Sequence, residues 1–261
     1  MTASWDTCIA RADELAARRA ETREMLTFYG ELLRAQKEIY GRLRGLGRWA
    51  PSGVIERDLP SLQNVVPLLL RTVERAGPAA LAEEARMIGE AGPALFGEAL
   101  VEYWHAPSDV NFFAKAFLQP YAGLLAETGV RPSGRGGGGG NCCPFCGANP
   151  QLSILQVKEP SAESGGRDML CSLCLTAWPF IRVVCANCGE NDPARLAYFR
   201  SPDYDHVRID ACETCRHYIK SIDLTRLGFA VPLVDEVAAA SLDLWVRERG
   251  YTKIELNLVG L

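Results

Sequence analysis

Apolar residues recur every three to four positions through the first half of the chain, and the rhythm then changes. Leu15, Met25, Leu26, Tyr29, Leu32, Leu33, Ile39 and Leu43 stand at this spacing among charges, which predicts helix from about residue 6 to 44. Pro51 and the glycines at 45, 47 and 53 end it. Asp58-Leu59-Pro60-Ser61 predicts the start of a second helix, over about 61–76. Gly77-Pro78 breaks that helix, and a third is predicted over 79–90. Gly92-Pro93 then separates a fourth, over 94–104. Pro107-Ser108-Asp109 predicts the cap of a fifth that runs to about 126.

Pro132-Ser133-Gly134-Arg135 and the run Gly136 to Gly140 follow. Five glycines have no side chains to bury and high chain entropy, which predicts a flexible linker and a candidate hinge. A phosphate-cradling loop would need a Lys-Ser/Thr and a helix after it, where this chain has Cys142-Cys143-Pro144. Beyond the linker the apolar runs are short and β-like: Leu152–Val157, Ile181–Val184, Leu196–Phe199 and His206–Ile209. The tail from Asp235 to Arg249 is again amphipathic, with Val237, Leu242, Leu244, Trp245 and Val246 on its apolar side and Gly250 as its stop. Lys253–Val259 reads as a final strand. The expected organisation is α+β: a helical domain over 1–131, a linker over 132–141, ribbons over 142–182 and 183–230, and a C-terminal helix and tail over 231–261.

Composition narrows the function. A chain of 261 residues with 48% hydrophobic content and a formal charge of −4 can bury a core and offers no general attraction to nucleic acid or anionic membrane. No apolar run reaches the length of a membrane span, and the first residues contain no apolar signal segment, so a protein that is not exported is expected. Ten cysteines in such a protein read as thiols or metal ligands rather than a disulfide framework.

Eight of the ten form four Cys-x-x-Cys pairs: Cys143/Cys146, Cys171/Cys174, Cys185/Cys188 and Cys212/Cys215. The pairs repeat internally. Cys143-Pro-Phe-Cys146-Gly147 matches Cys185-Ala-Asn-Cys188-Gly189, and Arg167 and Arg208 each precede a cysteine by four residues. A Cys-x-x-Cys turn presents two sulphurs to one ion, and two such knuckles complete a tetrahedral shell of four thiolates. A ribbon of about 40 residues has too little core to fold firmly without such help. The repeat pairs the first knuckle with the second and the third with the fourth; a crossed arrangement, first with third, stays open. Four thiolates on a dication carry a formal charge of −2, for which Arg167, Arg182, Arg208, Arg216 and Lys220 are candidate donors, or simply solvated charges. Spacing does not choose between zinc and rubredoxin-type iron.

Two cysteines remain. Cys142 is either a bystander beside a ligand or a reactive thiol for sulphur relay, and Cys8 is expected to pack on the first helix. His217, two residues after Cys215, is expected to be a hydrogen-bonding neighbour rather than a ligand. The chain has no Gly-x-Ser-x-Gly, no His-Glu-x-x-His and no Rossmann fingerprint, and a full sulphur shell leaves no open position for catalysis.

These residues together resemble one known family. Cys143-Pro-Phe-Cys146-Gly147, Arg167-Asp-Met-Leu-Cys171-Ser172-Leu173-Cys174, Trp178, Cys185-x-x-Cys188-Gly189, Cys212-x-x-Cys215 with Tyr218-Ile219-Lys220, and the tail Ala240 to Trp245 are similar to the formate dehydrogenase accessory proteins of the FdhE type. The likeness is close over about 141–251 and looser in the helical half. Asp235-Glu236 stands where the family has an acidic pair; the resemblance does not place the glycine run. The resemblance implies a cytoplasmic, non-catalytic maturation factor that binds the catalytic subunit of formate dehydrogenase. It also implies two metal ions, iron with zinc as the alternative, on Cys143, Cys146, Cys171, Cys174, Cys185, Cys188, Cys212 and Cys215. The rival readings are a rubredoxin-type electron carrier and a zinc-ribbon nucleic-acid binder. Residues 141–230 hold nine basic and ten acidic side chains, which is not the basic stripe that the second rival needs.

Overall fold

A computed structural model describes residues 4–47, 49–108, 111–135, 140–156 and 166–261. The helix predicted over 6–44 is a hairpin of two: α1 (Trp5–Arg18), capped by the Ser4 side chain, and α2 (Arg23–Arg44). The turn leaves the apolar rhythm unbroken, because both arms of an antiparallel hairpin bury one stripe against the other. Cys8, Ala12 and Leu15 on α1 and Leu26, Leu32 and Leu33 on α2 are accordingly buried in one core. The second predicted helix is likewise two, α3 (Ile55–Gln63) and α4 (Val66–Ala76). It begins earlier than Ser61 because Asp58 is not a cap: its buried carboxylate accepts from the Ser52 N–H at 2.8 Å and from the Tyr121 hydroxyl at 2.6 Å. Gly53, at φ +76°, is required here, since a Cβ would lie 2.5 Å from the Arg131 carbonyl oxygen.

Helices α5 (Ala79–Ala91), α6 (Pro93–His105) and α7 (Phe112–Thr128) follow. Asn111 caps α7 by accepting from the Ala114 N–H at 3.0 Å; the expected cap residue Asp109 lies outside the described residues. α7 is buried from Phe113 to Ala122. A helix covered on every side belongs at the centre of a domain, and α7 also reaches the second cysteine knuckle, where Gln119 donates to the Ser172 carbonyl, and the tail, where Lys115 pairs with Glu255.

The sheet holds β1 (Pro150–Gln156), β2 (Gly166–Cys171), β3 (Ala177–Phe180), β4 (Leu196–Arg200), β5 (Val207–Cys212), β6 (His217–Asp223) and β7 (Thr252–Lys253). Its order is β3-β2-β1-β6-β5-β4, with β7 beside β6. Each ribbon is a three-stranded antiparallel unit, and β1 and β6 join the two in parallel. The fold is α+β, but the two ribbons share one sheet rather than hanging as separate beads. The strand predicted at Ile181–Val184 is a turn that leaves Ile181 70% exposed. The chain pairs one step earlier, at β3, because this turn must lead into the third knuckle. The predicted tail helix is split at Ala239 into α8 (Pro232–Ala238) and α9 (Ala240–Arg247), and the final strand shrinks to β7.

The helical half and the sheet share a buried interface. Arg11 of α1 donates to both carboxylate oxygens of Asp235 on α8, at 3.0 and 2.6 Å, and His206 bonds the same carboxylate at 2.9 Å. Burial alone would raise the Asp235 carboxyl, but His206 and Arg11 hold it below the ordinary carboxylate range. Lys115 of α7 pairs with Glu255 in the tail. The hinge expected at Gly136–Gly140 falls mostly outside the described residues. Just before it, Arg135 is docked, donating to the carbonyls of Cys146 at 3.0 Å and Trp104 at 2.6 Å. Arg11→Ala leaves the Asp235 carboxylate without its guanidinium and is expected to cost about 3–5 kcal/mol, read as a lower urea midpoint. An unchanged midpoint would show that this pair does not hold the two halves together.

Candidate metal centres

The eight paired cysteines lie at turns that project sulphur toward the ends of strands. In the first and third knuckles a chain reversal follows the second cysteine, with Gly147 at φ +72° and Gly189 at φ +78°. The other two knuckles make the same turn without glycine: Leu175 and Arg216 stand at φ +56° and +57°. All four turns are thus left-handed after the second cysteine, which only two glycines announce in the sequence. The carbonyl of the leading cysteine is bonded across the turn, by Gly147 at 2.9 Å, Gly189 at 3.1 Å and Arg216 at 2.9 Å. Backbone N–H groups of Leu173 and Cys174 point at the Cys171 sulphur at 3.3 and 3.4 Å, and that of Asn187 at the Cys185 sulphur at 3.4 Å.

The fold brings the first knuckle to the second and the third to the fourth. Cys143, Cys146, Cys171 and Cys174 form one group, and Cys185, Cys188, Cys212 and Cys215 the other, with all sulphurs of a group within 4.8 Å of one another. The crossed arrangement does not occur. Sulphur–sulphur distances are 3.6 Å for Cys143–Cys174, 3.4 Å for Cys146–Cys171, 3.7 Å for Cys185–Cys215 and 3.8 Å for Cys188–Cys212. A disulfide needs about 2.0 Å, whereas a tetrahedral sulphur shell at about 2.3 Å from its ion has edges of about 3.8 Å. The residues therefore fit a tetrahedral, thiophilic divalent ion. Burial pushes the Cys171 thiol well above its usual range and Cys185 to about 12. A cation that compensates the thiolates removes that cost.

The two groups differ in cover. The first is wholly buried; in the second Cys188 is exposed and Cys215 half-buried. The first owes its cover to α7. Gln119 donates to the Ser172 carbonyl at 2.7 Å, inside the second knuckle, and Gln36 of α2 donates to Gln119 at 2.9 Å. Arg131 donates to Pro144 at 3.0 Å.

Of the candidate donors to sulphur, several are occupied elsewhere. Arg167 is buried and donates to the carbonyls of Arg182 and Val184, at 3.4 and 3.0 Å, bracing the chain that enters the third knuckle. Arg208 pairs with Asp210 at 2.8 Å, and Arg216 with Glu213 at 2.6 Å. His217 bonds the Cys215 carbonyl at 2.7 Å, the neighbour role expected of it. Cys142 stays outside the first group, 3.8 Å from Asn149, and burial together with Cys143 raises its thiol. That environment opposes the thiolate on which a sulphur relay depends.

Lys220 does not approach the sulphurs at all. It is fully buried with Lys253, Glu236 and Asp243 between the sheet and helices α8 and α9. Lys220 bonds Asp243 and the Glu236 carbonyl, Lys253 bonds Glu236, and Asn257 donates to Glu236 at 2.7 Å. Tyr218 donates to Asp243 at 2.8 Å. Two cations and two anions thus balance inside the core. The sequence does not announce this group: Glu236 and Asp243 are seven residues apart, on one helical face, but that face lies opposite Val234 and Trp245 and reads as the solvated side of the tail.

Comparison with known proteins agrees with this architecture. Residues 142–182 match the FdhE central domain and residues 183–259 the FdhE C-terminal domain. A Protein FdhE homolog of Aquifex aeolicus is 38% identical over 151 residues, 58% of this chain and 52% of that protein. One from Haemophilus influenzae is 30% identical over 115 residues, 44% of this chain and 37% of its own. These matches span about half or less of the curated relatives. The crystal structure of the FdhE protein from Pseudomonas aeruginosa superposes with a TM-score of 0.72 over 99% of this chain and 97% of that one, at 20% identity, a likeness of fold that includes the helical half. Residues 142–259 therefore carry both FdhE domains in order, and together with the relative of 38% identity they support the FdhE family for this chain.

Proposed function

We propose that this protein is an accessory factor of formate dehydrogenase maturation, which binds the catalytic subunit of that enzyme and performs no catalysis itself. The observation that carries the reading is the closure of both clusters. Four sulphurs within 4.8 Å of one another surround each centre, so a tetrahedral ion there has no position left for water or substrate. The FdhE domains over residues 142–259 support formate dehydrogenase as the client. In this reading Cys143, Cys146, Cys171 and Cys174 hold one ion and Cys185, Cys188, Cys212 and Cys215 the other, as iron, with zinc the alternative. When bound, the ions cross-link knuckles that lack a core of their own, and the protein works in the cytoplasm. Among the described residues no helix is long and apolar enough to cross a membrane.

The exposure of Cys188 favours a second reading for the second cluster alone, as a one-electron carrier of the rubredoxin kind. Protein purified without air and loaded with iron would then show reversible reduction in its visible spectrum, and a zinc-loaded or redox-silent protein excludes it.

The unequal cover predicts unequal release. The first ion leaves only when the knuckle around Ser172 lifts from α7. An added opening cost of about 1.4 kcal/mol already slows release by about tenfold. A chelator is expected to take one equivalent fast and the second slowly, with Cys212→Ser abolishing the fast phase. A single phase for both ions would contradict the assignment.

Affinity capture from the native cell tests the main proposal. The unaltered chain is expected to recover a formate dehydrogenase catalytic subunit, and the Cys171→Ser/Cys212→Ser double variant to lose it. Restoration of formate dehydrogenase activity in a deletion strain by the double variant as well as by the unaltered chain defeats the reading.

A further inference from the structure

Among the described residues the sheet ends in two unpaired edges, β3 and β4, and the internal repeat says what the β4 edge would accept. The ribbons stand side by side in the same sense, as β3-β2-β1 followed by β6-β5-β4. Cysteine spacing makes β4 the counterpart of β1, β5 of β2, and β6 of β3. The edge of β1 that faces away from β2 is filled by β6, in parallel, with Ser153 opposite Ser221 and Leu155 opposite Asp223. The same edge of β4 has no strand beside it among the described residues.

The hydrogen-bond alternation shows which backbone groups that edge offers. The Glu213 N–H donates to the Arg195 carbonyl at 2.9 Å, so Arg195 and Glu213 form a bonded pair. Counting along the antiparallel register, Ala197 and Phe199 then face Ala211 and Ile209 on β5. The N–H and C=O of Tyr198 and Arg200 point outward. Tyr198 corresponds to Ser153 and Arg200 to Leu155, and the Leu155 carbonyl indeed accepts across its edge, from Leu224 at 2.9 Å. The outward groups of β4 are thus set as those of β1 are, with the partner missing.

The opposite edge is protected. The Cys171 N–H donates to Thr176 at 3.0 Å, which by the same alternation turns Trp178 and Phe180 toward β2 and leaves Ala177 and Pro179 outward. Pro179 has no N–H to give and its ring obstructs a neighbour, a common device for blunting a sheet edge. Strand β3 is what the repeat would place against β4 of another molecule, and Pro179 stops that head-to-tail growth. Leu196-Ala-Tyr-Phe-Arg200 carries no proline. Tyr198 is 67% exposed and Val183 49% exposed, and both line a cavity of about 310 Å³ with Leu196, Arg208 and Asp210.

We infer that the outer edge of β4 is a docking site for an extended segment of the client polypeptide, which adds to the sheet as a strand parallel to β4 and sets an apolar side chain beside Tyr198 and Val183. Main-chain bonds to Tyr198 and Arg200 supply the attachment. The site rests on the client reading above and adds the surface and the conformation recognised.

The test measures binding of a purified formate dehydrogenase catalytic subunit to the metal-loaded full chain. Tyr198→Pro removes an outward N–H while leaving the bonds to β5 in place; Tyr198→Ser removes the ring and keeps the N–H. Tyr198→Pro is expected to weaken binding about tenfold or more and Tyr198→Ser by no more than about threefold. Metal content and melting temperature of each variant report that the fold is kept. On the unaltered chain, amide exchange at Tyr198 and Arg200 is expected to slow when the subunit is added, a readout that needs no variant. Equal binding by Tyr198→Pro, or exchange at those two amides unchanged on binding, overturns the edge and leaves the client reading standing. An unaltered chain that does not bind the subunit overturns both. Self-association that Tyr198→Pro abolishes would make the occupant a second copy and also overturns the inference.

Discussion

Cys171→Ser is expected to do far more damage than Cys188→Ser, although both remove one sulphur from a group of four. Cys171 is completely buried, and Cys188 is exposed. A structural ion in such a shell contributes on the order of 10 kcal/mol of apparent binding energy, which is comparable to the whole stability of a domain, about 5–15 kcal/mol. Where that loss is felt depends on packing. The second knuckle lies on α7 through the bond from Gln119 to Ser172, and Leu173 and Leu175 are buried in the shared core. Loss of the first ion therefore exposes α7, and faster amide exchange should spread from 141–180 into Phe113–Leu125. Cys188→Ser should lose one ion, loosen 183–216 and leave α7 protected. Equal spread in both variants would mean that the first cluster does not anchor the sheet to the helices.

The second large effect is expected at the buried charges. Lys220→Met removes one cation from a group of two lysines and two carboxylates, all fully buried. Breaking such a set costs about 3–5 kcal/mol, because an uncompensated charge is left in the core. The dependence on pH should also change sign. Burial alone would raise the Asp243 carboxyl, but Lys220 and Lys253 and the Tyr218 hydroxyl hold it below the ordinary range. A lowered folded value contributes stability above the unfolded pKa of about 3.9, and that stability is lost as pH falls through the folded value. The unaltered protein should thus weaken below about pH 4. In Lys220→Met two carboxylates share one lysine, so one of them binds a proton more readily folded than unfolded. Stability of the variant should then rise as pH is lowered from 7 toward 5. Urea midpoints across this range check both slopes, and a variant that weakens in parallel with the parent contradicts the account.

The cysteine repeat was legible because its chemistry is local: two residues between sulphurs and a fixed register between knuckles. The grouping of Cys143 with Cys174 and of Cys185 with Cys215 is what that register implies. Helical character was equally legible, since one apolar stripe is enough to declare it. The turn between α1 and α2 was not, because a hairpin keeps the stripe in phase across the break. Strands β2 and β6 were missed for another reason. Arg167, Asp168, Lys220 and Ser221 are polar yet buried, and their partners lie on other elements: Ser153 and Asp210 for Arg167 and Ser221, Gln156 for Asp168, and Asp243 for Lys220. Glu236 and Asp243 look like the solvated side of an amphipathic tail until Lys220 and Lys253 arrive from the sheet. Long-range pairing of charge leaves no periodic trace, so the means by which the C-terminal helices are held to the sheet could be found only in the fold.

The most direct test of the account is a count of metal ions. Native mass spectrometry of protein purified without air should find two ions per chain, one in Cys171→Ser, one in Cys212→Ser and none in the double variant, with Cys142→Ser retaining both. A chain that carries no metal, or a Cys171→Ser/Cys212→Ser variant that keeps both ions, would contradict the assignment of the two clusters and the accessory role built on them.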